Sequence, residues 1–534
     1  METWQPVTNL MRRDDALAVA VNRDTWLNYT QMTQWFSLLL DGPTKSIVTT
    51  LIQGNDFPGA YYFDWLTRSE YLLWASGARD WRKMRFEVRN EDGETVLGLF
   101  ARTCEPLSAD TQLRALRRPR ATIPTAWDAL RTLVDESFVL YPLPPLGGPA
   151  PDWSAMARQT FADLARPDCR HEVNGARGYH AYVITGEKRG IAQPNLELFV
   201  QTDLALSLAR YACTAGDFGV KAEADHLRGV LKRFFNSEER FLENFHPPRD
   251  FFGPWPEPED GRRARRVFNN WYQFHNLHKV LAVAERSGDS ELAAMGLAVL
   301  KTGGELVRRH HYLLPLFADW VNLESCGGGL DLYAVGIYAL CLIHAARLDP
   351  ARRDTYLAEA AEALDTTRRL PPAVYVHEPI ALAGCVEAAH ALGRREWRDD
   401  FLRMLLMMLY RDAPFTGMFQ ACGALLYPAF KENVETLLPL AEILSDVPPA
   451  LPLRQIIEHQ IRSNVAFFDE REPRGIPFED IPTIELPGGR GELGKEVYGA
   501  GQVFDLACLQ RALAGSQGGQ ADSSGFRGGV PARA

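Results

Sequence analysis

At 534 residues the chain exceeds a typical single core, so its length points to two or more domains, or to one large helical toroid with an added N-terminal region. An apolar fraction of 46% and a charged fraction of 24% are ordinary for a soluble globular protein. The formal net charge of −10 argues against nonspecific nucleic-acid binding, which needs a positive footprint, and the basic runs 114–120 and 262–266 read as solvated loops or an anion-contacting edge.

No charged n-region followed by an apolar stretch opens the sequence, so no signal peptide is expected. Nowhere do about eighteen apolar residues run uninterrupted, so no membrane span is expected either. The eight cysteines are scattered without a C-x-x-C pair. Cys213, Cys341, Cys385 and Cys508 read as small buried hydrophobes in a reduced, cytoplasmic protein.

In chain order, residues 1–150 read as a small mixed α/β region. Segment 25–40 is ambiguous between helix and strand, and 60–76 is dense in aromatics that suit a core. Segment 85–102 reads as a β-hairpin around Asn90-Glu91-Asp92-Gly93. A helix is predicted over 126–138, followed by a Pro/Gly linker at 143–153. From Trp153 the pattern turns helical and repetitive, starting with 154–164 and Ser154 as its N-cap. Helix pairs follow at 195–212 with 222–235, 270–286 with 291–308, 330–346 with 351–367, 378–392 with 397–410, and 418–427 with 433–444. A closing helix is predicted at 498–513, and the Gly/Ser/Gln-rich tail 515–534 reads as disordered. The long loop 236–266 carries Phe251, Phe252 and Trp255 and reads as functional.

One helix of each pair is built from small and apolar residues (Gly336, Ala339, Ala381, Ala383, Gly384, Gly423, Ala424), while its partner is charged. Small residues suit helices buried on all sides, and charged amphipathic partners suit an outer shell. The fold expected is therefore mainly α, an (α/α)6 toroid of six helical hairpins over 151–514 with the mixed region at 1–150. An irregular α-solenoid is the structural alternative.

In a toroid the inner helices run the same way, so their N-terminal ends share one face suited to polar or anionic groups. The ends supply Asn195, Glu197, Gln201 and Asp203, then Asn269, Asn270, Trp271, Tyr272, Gln273 and His275. Further along come Asp319, Trp320 and Glu324 ahead of Gly327–Gly329, then His377 and Glu378 before Pro379, then Gln420, and last Glu492, Lys495, Glu496 and Tyr498. Taken alone, Glu378 or Glu496 reads equally as a cap that compensates the helix dipole, and His275 as a structural histidine. A metal held by His275, His278 and His377 lacks the zincin glutamate, so no metal or cofactor is expected.

With the hairpin alternation and the junctions 269–276, 319–324 and 496–501, the region 153–513 resembles the six-hairpin glycosidase-like superfamily. That resemblance implies a carbohydrate-active enzyme. The first expectation is a glycoside hydrolase with Glu378 and Glu496 as the carboxylate pair, Asp319 binding hydroxyls or replacing one of them, and His275 as a further catalytic candidate. A separation of about 5 Å would indicate retention and roughly 6.5–9.5 Å inversion. Asn270, Trp271, Tyr272, Gln273, Trp320, Glu324, His377 and Tyr498 are the expected substrate-binding residues. The alternative is a uronate-acting lyase or sugar epimerase using Tyr272 or His275 for proton abstraction, with Asn270 or Gln273 neutralising the carboxylate. A noncatalytic helical scaffold is the reading from another class. The partner expected is a carbohydrate substrate, with no nucleic acid and no membrane.

Overall fold

The computed structural model describes residues 3–7, 10–13, 36–40, 47–53, 57–64, 68–76, 84–91, 94–101, 112–140, 149–173, 175–183, 196–215, 218–238, 240–242, 267–330, 334–369, 379–412, 430–448, 451–477, 485–486, 489–490 and 495–517. The first part is β-rich, with β1 (Gln5–Pro6), β2 (Leu10–Arg13), β3 (Phe36–Leu40), β4 (Ile47–Gln53), β5 (Phe57–Asp64), β6 (Ser69–Ser76), β7 (Met84–Glu91), β8 (Glu94–Ala101) and β9 (Gln112–Pro119). Six of these make an antiparallel sheet in the order β1-β9-β6-β5-β4-β3, and β2-β8-β7 make a second sheet. The predicted hairpin is β7–β8, with Glu91 opposite Glu94. The ambiguous segment contains a strand, β3, and the aromatic-rich one is the β5–β6 hairpin.

Helix α1 (Ala126–Leu140) touches β4 and β5 and also joins the sheet to the helical part. Arg131 Nε donates to Asp400 Oδ1 at 2.5 Å, and Arg403 Nε to Asp135 Oδ1 at 2.8 Å. The Trp127 ring stands edge-on to Phe401 at 5.9 Å, and its Nε1 donates to the Arg368 carbonyl at 2.9 Å. Asp400 is fully buried and receives a second arginine, Arg368, at 2.9 Å, so the junction is a paired, desolvated charge cluster.

The helical part consists of α2 (Trp153–Leu164), α3 (Leu198–Ala215), α4 (Phe218–Leu231), α5 (Asn270–Ser287), α6 (Ser290–Arg309), α7 (Ala334–Leu348), α8 (Arg353–Arg369), α9 (Pro379–Ala391), α10 (Arg395–Asp412), α11 (Phe430–Glu442), α12 (Leu453–Ser463) and α13 (Ala500–Gln517). Local signals set their ends. Asp289 caps α6 by accepting from Leu292 N at 2.9 Å, Asn269 caps α5 through Trp271 N at 3.1 Å, and Gly288 ends α5 at φ +67°. The cap of α2 is Asp152 rather than Ser154, because its carboxylate reaches Ala155 N.

The packing closes a ring. Helix α3 lies against α5, α5 against α7, α7 against α9, α9 against α11, α11 against α13, and α13 against α3. Each inner helix carries an outer companion: α4, α6, α8, α10 and α12 for the first five, and α2 for α13, so the first helix of this part pairs with the last. Six inner helices, each backed by an outer one, make the chain an (α/α)6 toroid. Residues Ala334–Ala346 of α7 are buried on every face, whereas α8 buries a single stripe, as the small-versus-charged alternation requires. A Cβ on Gly336 of α7 would lie 2.2 Å from Cys385 Sγ and 3.0 Å from the Ala381 carbonyl oxygen, so only glycine lets α7 and α9 approach this closely.

The fifth hairpin differs from the sequence reading. Segment 433–444, expected as an outer helix, belongs to α11, which stands in the inner ring between α9 and α13. Its outer companion is α12, which the sequence reading did not assign, and the expected inner helix 418–427 lies outside the described residues. Cys341, Cys385 and Cys508 are buried as expected, but Cys213, near the end of α3, is exposed. No single described helix is long and apolar enough to cross a membrane.

Candidate active site

Connectivity through the outer helices makes the inner six parallel, and their axis-facing stripes enclose a central cavity of about 530 Å³ including its open end. The wall is two-sided. Helices α7 and α9 contribute Ile337, Leu340, Ile380 and Ala383, an apolar half broken only by Glu387 of α9. Helices α3, α5, α11 and α13 contribute charge and hydrogen-bonding groups: Asp203, Ser207 and Arg210; His275, His278 and Lys279; Glu435; and Gln502. The spacings 203/207/210, 275/278/279 and 435/438/439 are those of one helical face.

Lys279 holds the polar half together. Its ammonium donates to Asp203 on α3 and to Glu435 on α11, the latter at 2.5 Å, and its side chain is 4% exposed. Glu435 Oε1 also accepts from Gln502 Nε2 at 3.3 Å, and its Oε2 lies 3.1 Å from His275 Nε2. Three inner helices thus meet at one carboxylate–lysine–carboxylate–histidine cluster, and Gln502 joins it from a fourth, α13. His275 Nδ1 is buried and has no hydrogen-bond partner among the described residues. The Trp271 ring, half-buried, stands 5.5 Å from the His275 ring. One turn deeper, Ser207 Oγ donates to Asp505 Oδ2 at 2.7 Å and Arg210 Nη1 to the same oxygen at 3.3 Å. Burial raises the Asp505 carboxyl above its ordinary range even though Arg210 and Ser207 oppose the shift. Burial, then the neighbouring His344, His275 and Arg210, keeps His278 well below the usual histidine range, so it is neutral near pH 7.

Glu387 on α9 is pushed up to about 7, first by burial and then by the charge of Glu442. Its proton is held more tightly in the folded chain than at its ordinary value of 4.5, so the stability it contributes is complete below about pH 4.5 and is lost as pH rises to about 7. Glu387→Gln is therefore expected to flatten the stability–pH curve across that window and to raise stability at pH 8 by on the order of 2–3 kcal/mol. Urea unfolding at pH 5 and pH 8 measures this; equal slopes for parent and variant would refute it.

Of the candidate residues singled out in the sequence, His275, His278 and Asp203 line the cavity. Several others do not, because they hold the scaffold. Asp319 ends a strand and closes the next turn: Oδ1 accepts from Val321 N at 2.9 Å and Asn322 N at 3.0 Å. The glycine-rich segment after it is the return strand of a hairpin, Glu324–Leu330 on Pro315–Asp319, with Phe317 opposite Gly327, rather than a ligand cradle. Glu324 is exposed on that strand. Asn270, fully buried, joins α5 to this hairpin, donating to the Pro315 carbonyl at 2.6 Å and accepting from Trp320 Nε1 at 3.0 Å. Trp320 is fully buried against Phe274 and offers no face for stacking. Gln273 donates to the Leu242 carbonyl at 2.8 Å, and Gln201 bonds the backbone of Tyr179. Tyr272 and Tyr498 are buried, each edge-on to Phe199, at 5.9 and 5.2 Å.

Neither carboxylate of the hydrolase expectation lies among the described side chains. His377 and Glu378 lie outside the described residues, as do Trp255, Gln420 and Glu492. The backbone of Glu496 pairs with Tyr182 in a two-residue ladder, and its side chain lies outside the described residues. Lys495 is buried and pairs with Asp469 at 2.7 Å. Among the described residues no group of three or more metal-ligating side chains is found. Sequence reasoning missed Glu435, Lys279, Arg210, Glu387 and Gln502. The available signal was a polar residue every three or four positions along otherwise buried helices.

Neither a family model nor a curated protein matches the sequence. The chain is similar to solved structures at low identity. A sugar epimerase from a ruminal bacterium aligns at 13% identity and TM-score 0.47, over 67% of this chain and 98% of that one. The cellobiose 2-epimerase of Spirochaeta thermophila aligns at 12% and 0.46, over 68% and 96%. A family 76 glycoside hydrolase from a bovine Bacteroides thetaiotaomicron strain aligns at 10% and 0.44, over 91% and 99%. The toroid itself is established by the closed ring of helix pairs.

Proposed function

We propose that the chain is a carbohydrate-active enzyme that transfers a proton at a sugar carbon beside a carbonyl, as an epimerase or isomerase does, with His275 as the acid–base group. The substrate class is the one named for the solved structures to which the chain is similar; the reaction class is argued from the cavity. The observation that carries it is the asymmetry of one imidazole: Nε2 lies 3.1 Å from Glu435, while Nδ1 has no partner among the described residues. A carboxylate beside Nε2 favours the tautomer with the proton there, leaving the Nδ1 lone pair as base. In this reading Nδ1 takes the proton from carbon, the electron pair moves onto the carbonyl oxygen as an enolate, and the imidazolium returns the proton. Glu435 stabilises the imidazolium, and the cation of Lys279 lowers the cost of the enolate charge.

A glycoside hydrolase is the second reading, favoured by the contrast between two cavity carboxyls. Glu387, pushed up to about 7, suits a general acid, and Glu435, held by Lys279, suits the ionised partner. One experiment separates them. The full-length protein is incubated in heavy water with a panel of reducing sugars and, in parallel, with their glycosides. Deuterium on the carbon beside the carbonyl, with a new isomer, is the expected result. Release of reducing ends from glycosides without carbon-bound deuterium selects the hydrolase, and no turnover of either class removes both readings.

A further inference from the structure

We propose that His278, His344 and Glu285 form a proton relay joining the His275 end of the cavity to solvent at the opposite end of the ring. The proposal deepens the proton-transfer reading; it rests on that reading for its purpose, and its first test needs no sugar.

Residues 275, 278 and 285 of α5 are three and ten positions apart and span about 15 Å of helix. The rings form a row: His275 to His278 is 6.2 Å between centroids, and His278 to His344, which reaches in from α7, is 5.4 Å. His344 Nδ1 lies 2.7 Å from Glu285 Oε2, and Glu285 in turn faces Arg347 Nη1 at 3.4 Å. Access grows along the row, from 3% of the His275 side chain to 21% of Glu285 and 53% of Arg347. The far end therefore meets water on the face away from the inner-helix N-termini. His278 Nδ1 is buried without a partner among the described residues, which leaves a ring nitrogen uncommitted in the middle of the row.

A relay needs groups that accept on one atom and release from another, which neutral imidazoles do. A proton arriving on one nitrogen of His278 leaves from the other to His344 Nε2, and the Nδ1 proton of His344 passes to the Glu285 carboxylate. One proton moves, no electrons move, and tautomer exchange resets the rings. The charged groups around the row are Arg210 from α3, Glu435 from α11, Glu387 from α9, and Arg286 and Arg347 at its far end. Burial is the largest cause that holds His278 and His344 below the usual histidine range; Arg210 adds to it at His278, and Arg347 and Arg286 at His344, while Glu435 and Glu285 oppose it. With a substrate in the mouth of the cavity, such a path lets the proton held on His275 exchange with solvent without opening the site.

The test uses the full chain carrying ¹⁵N-labelled histidine, followed by NMR over pH 5–9, in the parent and in Glu285→Gln and His344→Gln. The expected result is His344 in the Nδ1–H tautomer, and a change in the ¹⁵N shifts of His278 and His275, as well as of His344, on Glu285→Gln. Glu285 is partly exposed, so this variant stays readable if His344→Gln does not fold. A response confined to His344 overturns the proposal, since the His344–Glu285 pair would then be structural only. Once a turned-over sugar is known, His344→Ala is expected to incorporate about tenfold less deuterium per turnover in heavy water and to regain it with imidazole in the buffer. Unchanged deuterium per turnover would overturn the relay while leaving the sugar chemistry in place, whereas a parent protein inert on all sugars with coupled ¹⁵N shifts would overturn the sugar reading and keep the relay.

Discussion

Lys279→Met is expected to lower the free energy of unfolding by about 3–5 kcal/mol. The ammonium is 4% exposed and sits between Asp203, whose side chain is fully buried, and Glu435, at 7% exposure. Removing it leaves two like charges in a water-poor site, with the cost of desolvation no longer offset by the cation. The three residues come from α3, α5 and α11, so the loss bears on the ring and not on one helix. Chemical denaturation measures the effect. Adding Asp203→Asn to Lys279→Met should recover part of it, because one of the stranded charges is then gone. A shift below about 1 kcal/mol for the single variant would mean that water reaches the cluster and screens it, and the cavity would have to be wetter than its geometry indicates.

The ring of hairpins was legible because burial on all sides and burial on one side demand different residues. Gly336, Ala339, Ala381 and Gly384 cannot build an outer helix, and the charged stripe of α8 cannot build an inner one. The same logic misled at α11. Its charged residues suggested an outer surface, but Glu435 faces the cavity, and a wall that meets a polar cavity has the same period as a wall that meets solvent. The site was half legible for a related reason. Helix starts collect polar residues both to bind ligands and to satisfy their own exposed amides. Asn269 does the second, Asp319 does the same for a turn between two strands, and Asn270 with Trp320 ties α5 to the neighbouring hairpin. The polar cluster lies a turn or two further in, where Asp203, His275, Lys279 and Glu435 meet across helices distant in sequence; no local pattern joins position 203 to position 435.

His275→Gln is expected to lower kcat on the turned-over sugar by about 10²–10⁴-fold, with KM changed far less. The argument turns on what the substitution leaves behind. Glu435 keeps Lys279 at 2.5 Å and Gln502 at 3.3 Å, so its charge remains paired and the ring is not stressed as it is without the lysine. Glutamine fills much of the same space and can still donate toward Glu435, but no atom of its amide takes up a proton near neutral pH. Unfolding by denaturant should accordingly differ from the parent by about 1 kcal/mol or less. Glu435→Gln provides the contrast. It keeps a hydrogen-bonding group beside His275 but removes the charge that stabilises the imidazolium, so kcat should fall with the imidazole still in place. A His275→Gln protein with normal kcat and normal stability would place the proton transfer elsewhere, and the contrast between Glu387, pushed up to about 7, and the lysine-held Glu435 would then carry the chemistry as a general acid and its ionised partner.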